Sequence, residues 1–426
     1  MNIVFRLQQE FSFLLKSRAV LGSMLLLLAI SGISVALGLN YVAQERQKIV
    51  ELIELDTKER AYKRTQAIDY GGAAYDAFHA VWNAPSDLAF AAIGQRDLNP
   101  NMMRIRALAL EGQIYETDSI NPELALAGRF DLAFVAAYLL PLIVIFVFYD
   151  LLAAERESGR LNLLSVTAQS PRSLWLPRIM FRFLGVLIAV LMPLWIGMFI
   201  EGTSMQTLRG ASLSVMLQVA LWTGLVLALA MRPTLRSETI ASISVGVWVV
   251  LTLAIPIVGK VYVESSVVGI KGAEVALVQR EAVNDAWDLP KSDTMEPFYA
   301  THPEWSDSEP LGEEWHWKWY YAFQQVGDET AAELAQEYRE TILARDEMTA
   351  SFAWFSPAVA IQRRLEALAE TNLDTTLAFQ DQVRIYHEQI RGAYYPVLFR
   401  EVPFSHERLA QIYIPDFSES AGLESE

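Results

Sequence analysis

The chain contains no cysteine among its 426 residues. This absence excludes disulfide bonds, thiolate metal sites and cysteine nucleophiles, although such a chain suits an oxidising compartment as well as a reducing one. The GxxxxGK[ST] loop that cradles nucleotide phosphates is also absent, as are the HExxH and GxSxG signatures of metalloproteases and serine hydrolases. We therefore predict no catalytic residue and no cofactor in this chain.

Charged groups are missing from the middle of every long apolar run, where the sequence has no lysine, aspartate or glutamate. This argues against a transporter driven by its own buried carboxylate. The five histidines are scattered: His79, His302, His316, His387 and His406. Since His316 lies near Glu313 and Glu314, a metal site is one reading, but solvated loop residues are the reading we adopt, and we predict no metal.

Hydrophobic residues make up 53% of the chain, and the mean hydropathy is +0.23. Such a composition is too apolar for a soluble protein and too charged for one that is all membrane, so the chain should divide into spans and water-exposed regions. Apolar runs long enough to cross about 30 Å of hydrocarbon lie in residues 19–40, 129–152 and, three times, 179–262. We predict an α-helical polytopic membrane protein with five visible spans.

Basic residues set the orientation of these spans. They cluster before the first span, after the second and after the fourth: Arg6, Lys16, Arg18, Arg156, Arg160, Arg172, Arg178, Arg182, Arg232 and Arg236. The N-terminus, with an interfacial helix at residues 1–18, and the segment 153–178 should therefore be cytoplasmic. The polar regions 41–128 and 263–426 should lie outside and form one mainly helical extracytoplasmic domain, because apolar stripes such as Ile49, Leu52 and Ile53 need a partner.

Within the second polar region, residues 327–350 and 358–395 show the apolar spacing of long helices. An aromatic cluster precedes them, and it fits an interface anchor, a core or a substrate-binding surface: Trp305, Trp315, Trp317, Trp319, Tyr320, Tyr321 and Phe323.

Prolines interrupt three of the predicted spans at Pro141, Pro193 and Pro256. Each removes a backbone hydrogen bond and should kink its helix, as either a hinge or a fixed bend. The first span also carries small residues, including Gly22, Gly32 and Gly38, which allow close helix packing.

An amphipathic segment follows the second span and carries our candidate site: Glu155, Glu157, Gly159, Leu161, Leu163 and Leu164. A short helix between two spans is placed to contact a partner in the adjoining water, but its spacing alone fits an ordinary loop helix equally well.

A family resemblance favours the interpretation that this segment contacts a partner. Arg129-Phe130-Asp131, Leu139-Leu140-Pro141-Leu142 and the spacing from Glu155 to Leu164 resemble permease subunits of ABC-2 type transporters. The narrower likeness is to the branch with large extracytoplasmic loops, which is DUF3526-like and related to permeases of multicopper-enzyme maturation. The chain departs from the family pattern at Arg160 and at Ala168, where threonine and proline are usual.

The resemblance implies a multi-pass protein of the bacterial inner membrane with its large domain in the periplasm. It implies that the candidate segment is a coupling helix, which contacts a cytoplasmic ABC ATPase holding ATP and magnesium. The other implied partners are membrane lipid and a second permease, either the same chain or a paralogue, with no nucleic acid. On this basis the chain couples ATP hydrolysis to export or to mechanical work on an envelope substrate.

The alternative is a membrane-anchored periplasmic scaffold or sensor that translocates nothing. ABC-2 permeases usually have six spans, and after Tyr395 no apolar run approaches the length of a crossing. We expect the natural reading frame to continue past Glu426 into a sixth span, the alternative being that this protein does without one.

Overall fold

Five helices are long and apolar enough to cross a membrane in the part of the chain that the computed structural model describes, residues 3–115, 129–160 and 171–422. They are called spans 1 to 5 below: Arg18–Gln66, Leu132–Glu157, Trp175–Glu201, Met205–Ala230 and Ser237–Ser266. Their buried faces form one core that includes Leu27, Val144, Leu194 and Trp222. The prediction of five apolar helices of spanning length is confirmed, and they pack as a bundle.

The N-terminal segment forms the helix Ile3–Lys16, and Ser17 alone separates this helix from span 1. This helix lies along span 3, where the rings of Phe11 and Phe181 are 5.8 Å apart. A helix therefore exists where the amphipathic pattern predicts one, and its position at a membrane surface stays a prediction.

Span 1 continues without a break beyond its apolar part, so that one helix of 49 residues joins the bundle to the polar region. A methyl group added at Gly38 would lie 1.9 Å from the carbonyl oxygen of Phe90, whereas one added at Gly22 or Gly32 would meet nothing within 4 Å. Of these three glycines, Gly38 alone serves a close approach, and its neighbour is a loop rather than another helix.

Two of the three span prolines follow a π-helical turn. Val135–Leu139 in span 2 and Val250–Ala254 in span 5 are π segments, and each leads into an α-helix with proline at its start, Leu140–Phe148 and Ile255–Ser266. Proline has no N–H to donate to the carbonyl one turn earlier, and a π turn can give that carbonyl a different donor. Such turns are common causes of helix bending. Pro193 lies inside the continuous helix Pro171–Glu201, and the predicted kinks stay predictions.

The described residues of the two polar regions, the one after the apolar part of span 1 and the one after span 5, pack into one domain, here called the distal domain. Its buried core joins Val81 and Ile105 of the first region to Phe298 and Tyr386 of the second. The helices are Tyr70–Asp76, Glu111–Tyr115, Gly272–Asp285, Lys291–Thr301, Trp317–Phe352, Pro357–Leu368, Leu373–Phe399, His406–Gln411 and Phe417–Ser420, with 3-10 turns at Gly94–Asp97 and Pro303–Trp305.

A small antiparallel hairpin, β1 (His79–Trp82) and β2 (Met102–Ile105), pairs Ala80 with Arg104. The sequence analysis did not predict it. The distal domain is otherwise helical, as expected.

One expectation for the distal domain needs adjustment, and one of the readings left open for the aromatic cluster fits the structure best. The predicted helix 358–395 is two helices, because the chain turns between Leu368 and Leu373, where Glu370 has a left-handed φ of 53°. The aromatic cluster is mainly core: Trp319, Tyr321 and Phe323 are buried, whereas Trp315 is half exposed.

Candidate functional site

The segment at the end of span 2, residues 153–160, is fastened to several neighbouring elements at one end of the bundle. Residues 153–157 form a helical turn, and the chain then reverses at Gly159, whose φ of 70° favours glycine because it carries no Cβ. We call this end of the bundle the basal face. It comprises Glu10, Asp150, residues 153–160, Arg178, Arg182 and Ser237. Its contacts decide which helices would move with the segment.

Glu157 connects the segment to span 5. Its carboxylate accepts hydrogen bonds from the backbone N–H of Ser237, at 2.6 Å, and from the Ser237 hydroxyl, at 3.0 Å. Ser237 is the first residue of the helix, and a carboxylate there satisfies a free backbone donor and complements the helix dipole. Glu157 thus acts as a cap supplied from another helix.

Arg156 fastens the same segment to the connection between spans 4 and 5. Its guanidinium donates to the carbonyl oxygen of Leu235 and, at 3.5 Å, to that of Ala230. Backbone carbonyls at a helix end lack partners within the helix, so an arginine there is a favourable donor.

Glu155 faces span 3 and the N-terminal helix. Its carboxylate lies 2.8 Å from Arg160 and 3.4 Å from Arg178, and Arg178 also lies 2.7 Å from Glu10. The side chains of Arg178 and Glu10 are only 16% and 11% exposed, so water screens this pair less than a surface pair. Arg182 completes the bracing by donating to the Val147 carbonyl and to Asp150.

These groups surround an open cavity of about 500 Å³ whose walls include Glu10, Asp150, Glu155 and Arg178. The basal face is therefore a charged cleft between helices rather than a flat end. A body that moved residues 153–160 would pull on spans 3 and 5 through direct hydrogen bonds, and on the N-terminal helix through Arg178, which also binds Glu10.

The structure describes half of the predicted candidate residues. Glu155 and Glu157 lie together, but their oxygens already bind Arg160, Arg178 and Ser237 of the same chain. Gly159 lies at the turn. The predictions for Leu161, Leu163 and Leu164 fall outside the described residues. A bracing role for Arg156 and Arg178 was not predicted, since the sequence presents them only as orientation charges.

At the other end of the bundle the distal domain reaches in between the spans. Helix Trp317–Phe352 runs beside span 5, where a methyl group at Gly259 would lie 2.9 Å from Phe352. The chain then turns at residues 353–356, with the Ser356 hydroxyl capping the next helix, Pro357–Leu368. We call Pro357–Leu368 the wedge helix.

The wedge helix packs against span 4 and against both π segments. Its buried Ile361 and Leu365 belong to the bundle core, and Gln362 lies 3.5 Å from the Tyr138 hydroxyl in the π segment of span 2. The distal domain therefore contacts the two spans at the turns where their helical hydrogen bonding is already altered.

Glu366 of the wedge helix lies in a polar cavity of about 820 Å³ between this helix and the rest of the distal domain. Burial raises the pKa of its carboxyl to about 7, with the nearby charge of Asp131 adding to the shift and Arg363 opposing it. This is a group that can change its charge near neutral pH.

No three histidine, aspartate or glutamate side chains converge as metal ligands among the residues that the structure covers. His316 lies 3.7 Å from Glu401 rather than beside Glu313 or Glu314, and its ring caps the helix that starts at Trp317. His387 is buried against the carbonyls of Arg106 and Leu108, and burial holds the pKa of its imidazole well below the usual range. These histidines have structural partners.

Comparison with known proteins gives one match. Neither the curated proteins nor the solved structures include a significant match to this chain. Residues 273–418, which contain the wedge helix and most of the second half of the distal domain, match the family described as DUF3526, a domain of unknown function.

Proposed function

We propose that this chain is the membrane subunit of an ABC-2 type transporter, which passes force from a cytoplasmic ATPase to its distal domain. The observation that carries the proposal is the bracing of residues 153–160: Glu155, Arg156 and Glu157 each bind a different neighbouring element of the bundle. The match to DUF3526 is consistent with the narrower resemblance noted in the sequence.

The path between the two ends supports this proposal. From the basal face, Glu157 acts on span 5 through Ser237, and Glu155 acts on span 3 through Arg178. At the far end, the wedge helix packs against spans 2, 4 and 5. A change in the relative tilt of these spans would therefore change the position of the wedge helix. The π segments are the places where such a change meets the least regular hydrogen bonding.

In this proposal the basal face lies in the cytoplasm and the distal domain in the periplasm of a bacterium, with the spans in the inner membrane. The basic residues at the basal face, such as Arg156, Arg178 and Arg182, support this orientation. ATP and magnesium would be held by the ATPase, and a second permease, the same chain or a paralogue, would complete the pore.

The test is whether an ABC ATPase co-purifies with this chain. Replacing Leu161 and Leu164 together by glutamate should release the ATPase while the permease stays inserted, because two charges would face an apolar contact. A matched control replaces exposed apolar residues of the distal domain, Leu277 and Ile385, which are 53% and 58% exposed. That control should retain the ATPase.

Normal ATPase recovery with the Leu161→Glu, Leu164→Glu protein would overturn the coupling role. Glu157→Gln sharpens the assay, since it keeps the side-chain shape but weakens the bond to the Ser237 backbone. We expect it to retain the ATPase and to lower the stimulation of ATP hydrolysis by the permease.

The second candidate is a scaffold or sensor that binds an envelope protein without transport. It is favoured by Trp287 and Trp315, which stack with ring centres 5.8 Å apart and are each about half exposed on the distal domain. A stable complex with periplasmic proteins and no ATPase would select this function.

A further inference from the structure

An apolar groove of about 1020 Å³ runs along span 4 beside the tip of the wedge helix. Its walls are largely aliphatic and aromatic and include Leu213, Leu217, Leu221, Phe355 and Ile361. Leu217 and Leu221 are at least half exposed, so neighbouring helices leave this face of span 4 uncovered.

The turn beside the groove presents large aromatic rings to the surroundings. Trp354 is 89% exposed and Phe355 is 65% exposed. Water would make such exposure of apolar surface unfavourable, whereas hydrocarbon would not. The groove lies along a helix whose length and composition suit a membrane span, so such exposure fits lipid surroundings.

A single cationic group stands at the rim of the groove. Arg364 lines it and is exposed, and it forms no hydrogen bond or ion pair with the residues that the structure covers. Its neighbour Arg363 differs, since both of its terminal guanidinium nitrogens, Nη1 and Nη2, donate to the Asp346 carboxylate, at 2.5 and 2.8 Å. One turn further along, Leu368 packs on Gly210, near the distal end of span 4, so Arg364 lies toward the membrane edge.

We propose that this groove binds a phospholipid with an anionic headgroup, its phosphate at Arg364 and one acyl chain along span 4. Residues 210 to 225 of span 4 line the groove, a rise of about 22 Å at 1.5 Å per residue. One leaflet of hydrocarbon is about 15 Å thick, so an extended acyl chain fits within this length. Guanidinium binds phosphate through two parallel N–H donors, which matches an arginine without a protein partner.

The occupant is lipid rather than a second copy of the chain because of this charge. A helix of another copy in the groove would bury Arg364 without a counter-charge unless it brought an acid, and buried unpaired charge is strongly unfavourable. The long apolar walls accept a flexible chain without requiring a matching surface.

The experiment uses the full chain in nanodiscs of phosphatidylcholine that contain a minor fraction of phosphatidylglycerol with a photoactivatable acyl chain. We expect peptide mass spectrometry to find crosslinks at residues 213–225 and 353–361. Arg364→Gln should lower these crosslinks several-fold for phosphatidylglycerol, and by less for a photoactivatable phosphatidylcholine, whose choline cation offsets the charge of its phosphate. Arg232→Gln is the matched control at the opposite end of span 4, and it should change neither.

Filling the groove gives a second arm that does not depend on the headgroup. Ala220→Phe should abolish groove crosslinks, whereas Val245→Phe, on an exposed face of span 5, should not. Equal crosslinking along all exposed spans, with no effect of Arg364→Gln, would overturn the proposal in favour of ordinary surrounding lipid.

A disulfide between two copies of Leu217→Cys, formed in place of lipid crosslinks, would overturn it in favour of a second chain. Because the natural chain has no cysteine, that test is free of background. Neither arm requires the ATPase, so its failure is distinguishable from failure of the proposed transport function.

Discussion

The membrane bundle and the distal domain are held together by different side chains. The bundle core is mostly aliphatic and alanine, with members such as Leu27, Ala136 and Val190. The distal core is rich in aromatic rings, among them Phe298, Tyr321, Tyr386, Tyr394 and Phe399. The difference is the one expected between a bundle in lipid and a domain in water, because water drives aromatic burial while lipid leaves close packing to fix helices together.

Charge is distributed just as unequally. In the distal domain Arg391 pairs with Asp328 at 2.7 Å and Arg384 with Glu111 at 2.6 Å, and these pairs are largely buried. In the bundle the braces lie at the basal face and often end on backbone carbonyls. The comparison indicates that the distal domain is sensitive to charge, whereas the bundle is sensitive to shape.

The largest effect should come from breaking a buried charge pair. Arg391→Met leaves Asp328 without its cation, although Asp328 still accepts the backbone N–H groups of Leu110 and Glu111. We expect a loss of about 3 to 5 kcal/mol in the stability of the distal domain. Hydrogen exchange in detergent should show faster exchange in helix Leu373–Phe399 while the spans remain protected.

The control is Arg400→Met, because Arg400 is exposed and lies over the Trp305 ring at 5.9 Å. It should cost no more than about 1 kcal/mol. If both variants exchanged alike, or if the spans opened together with the distal domain, the two regions would not differ as described.

A smaller effect should come from changing shape in the bundle without changing charge. Gly38→Ala forces its new methyl group against the Phe90 carbonyl, so we expect a loss of about 1 to 3 kcal/mol. Gly32→Ala in the same helix meets nothing within 4 Å and should be neutral or slightly stabilising, since alanine favours helix. The thermal midpoint of the purified chain measures both, and equal midpoints would refute the shape argument.

The smallest effect should come from titrating Glu366, where the two regions meet. Its folded-state pKa of about 7 lies above its ordinary value of 4.5, so the folded chain holds the proton more tightly. The resulting stabilisation is complete below about pH 4.5 and is lost as the pH rises through about 7. Because the cavity is open to water, we expect a loss of about 1 to 2 kcal/mol between pH 5 and pH 8.

Glu366→Gln should flatten this pH profile, and Glu347→Gln, at an exposed position on the neighbouring helix, should leave it as in the natural chain. The raised pKa of Glu366 would be contradicted if the thermal midpoint of the natural chain, corrected for the control, stayed constant from pH 5 to pH 8.

The spans were predictable because apolar length alone identifies them, and each of the five predicted runs overlaps a helix of spanning length. Their full extent was not, since span 1 continues through polar residues to Gln66. Helical propensity and contacts such as that of Glu45 with Arg96 stabilise this part, and neither has an apolar signature. The break after Leu368 was missed because the apolar spacing continues across it, and the left-handed Glu370 is no glycine.

The candidate site was predictable in position but not in geometry. The segment's charge and place between two spans identified Glu155 and Glu157, but their partners Arg178 and Ser237 are remote in sequence. The wedge helix was predicted only as the first part of a helix over 358–395, and its position among the spans was not recognised, because it is too short and too charged to resemble a span. Its seat between spans 2, 4 and 5 depends on tertiary packing.

The unbroken helix from Arg18 to Gln66 gives the molecule a lever. At 1.5 Å per residue its 49 residues measure about 73 Å, more than twice the thickness of the hydrocarbon core. A straight rod of that length, pivoted at one end and turned by about 5°, carries its other end through an arc of about 6 Å. A displacement too small to disturb side-chain packing at the pivot is thus magnified at the tip to more than the spacing between successive helical turns.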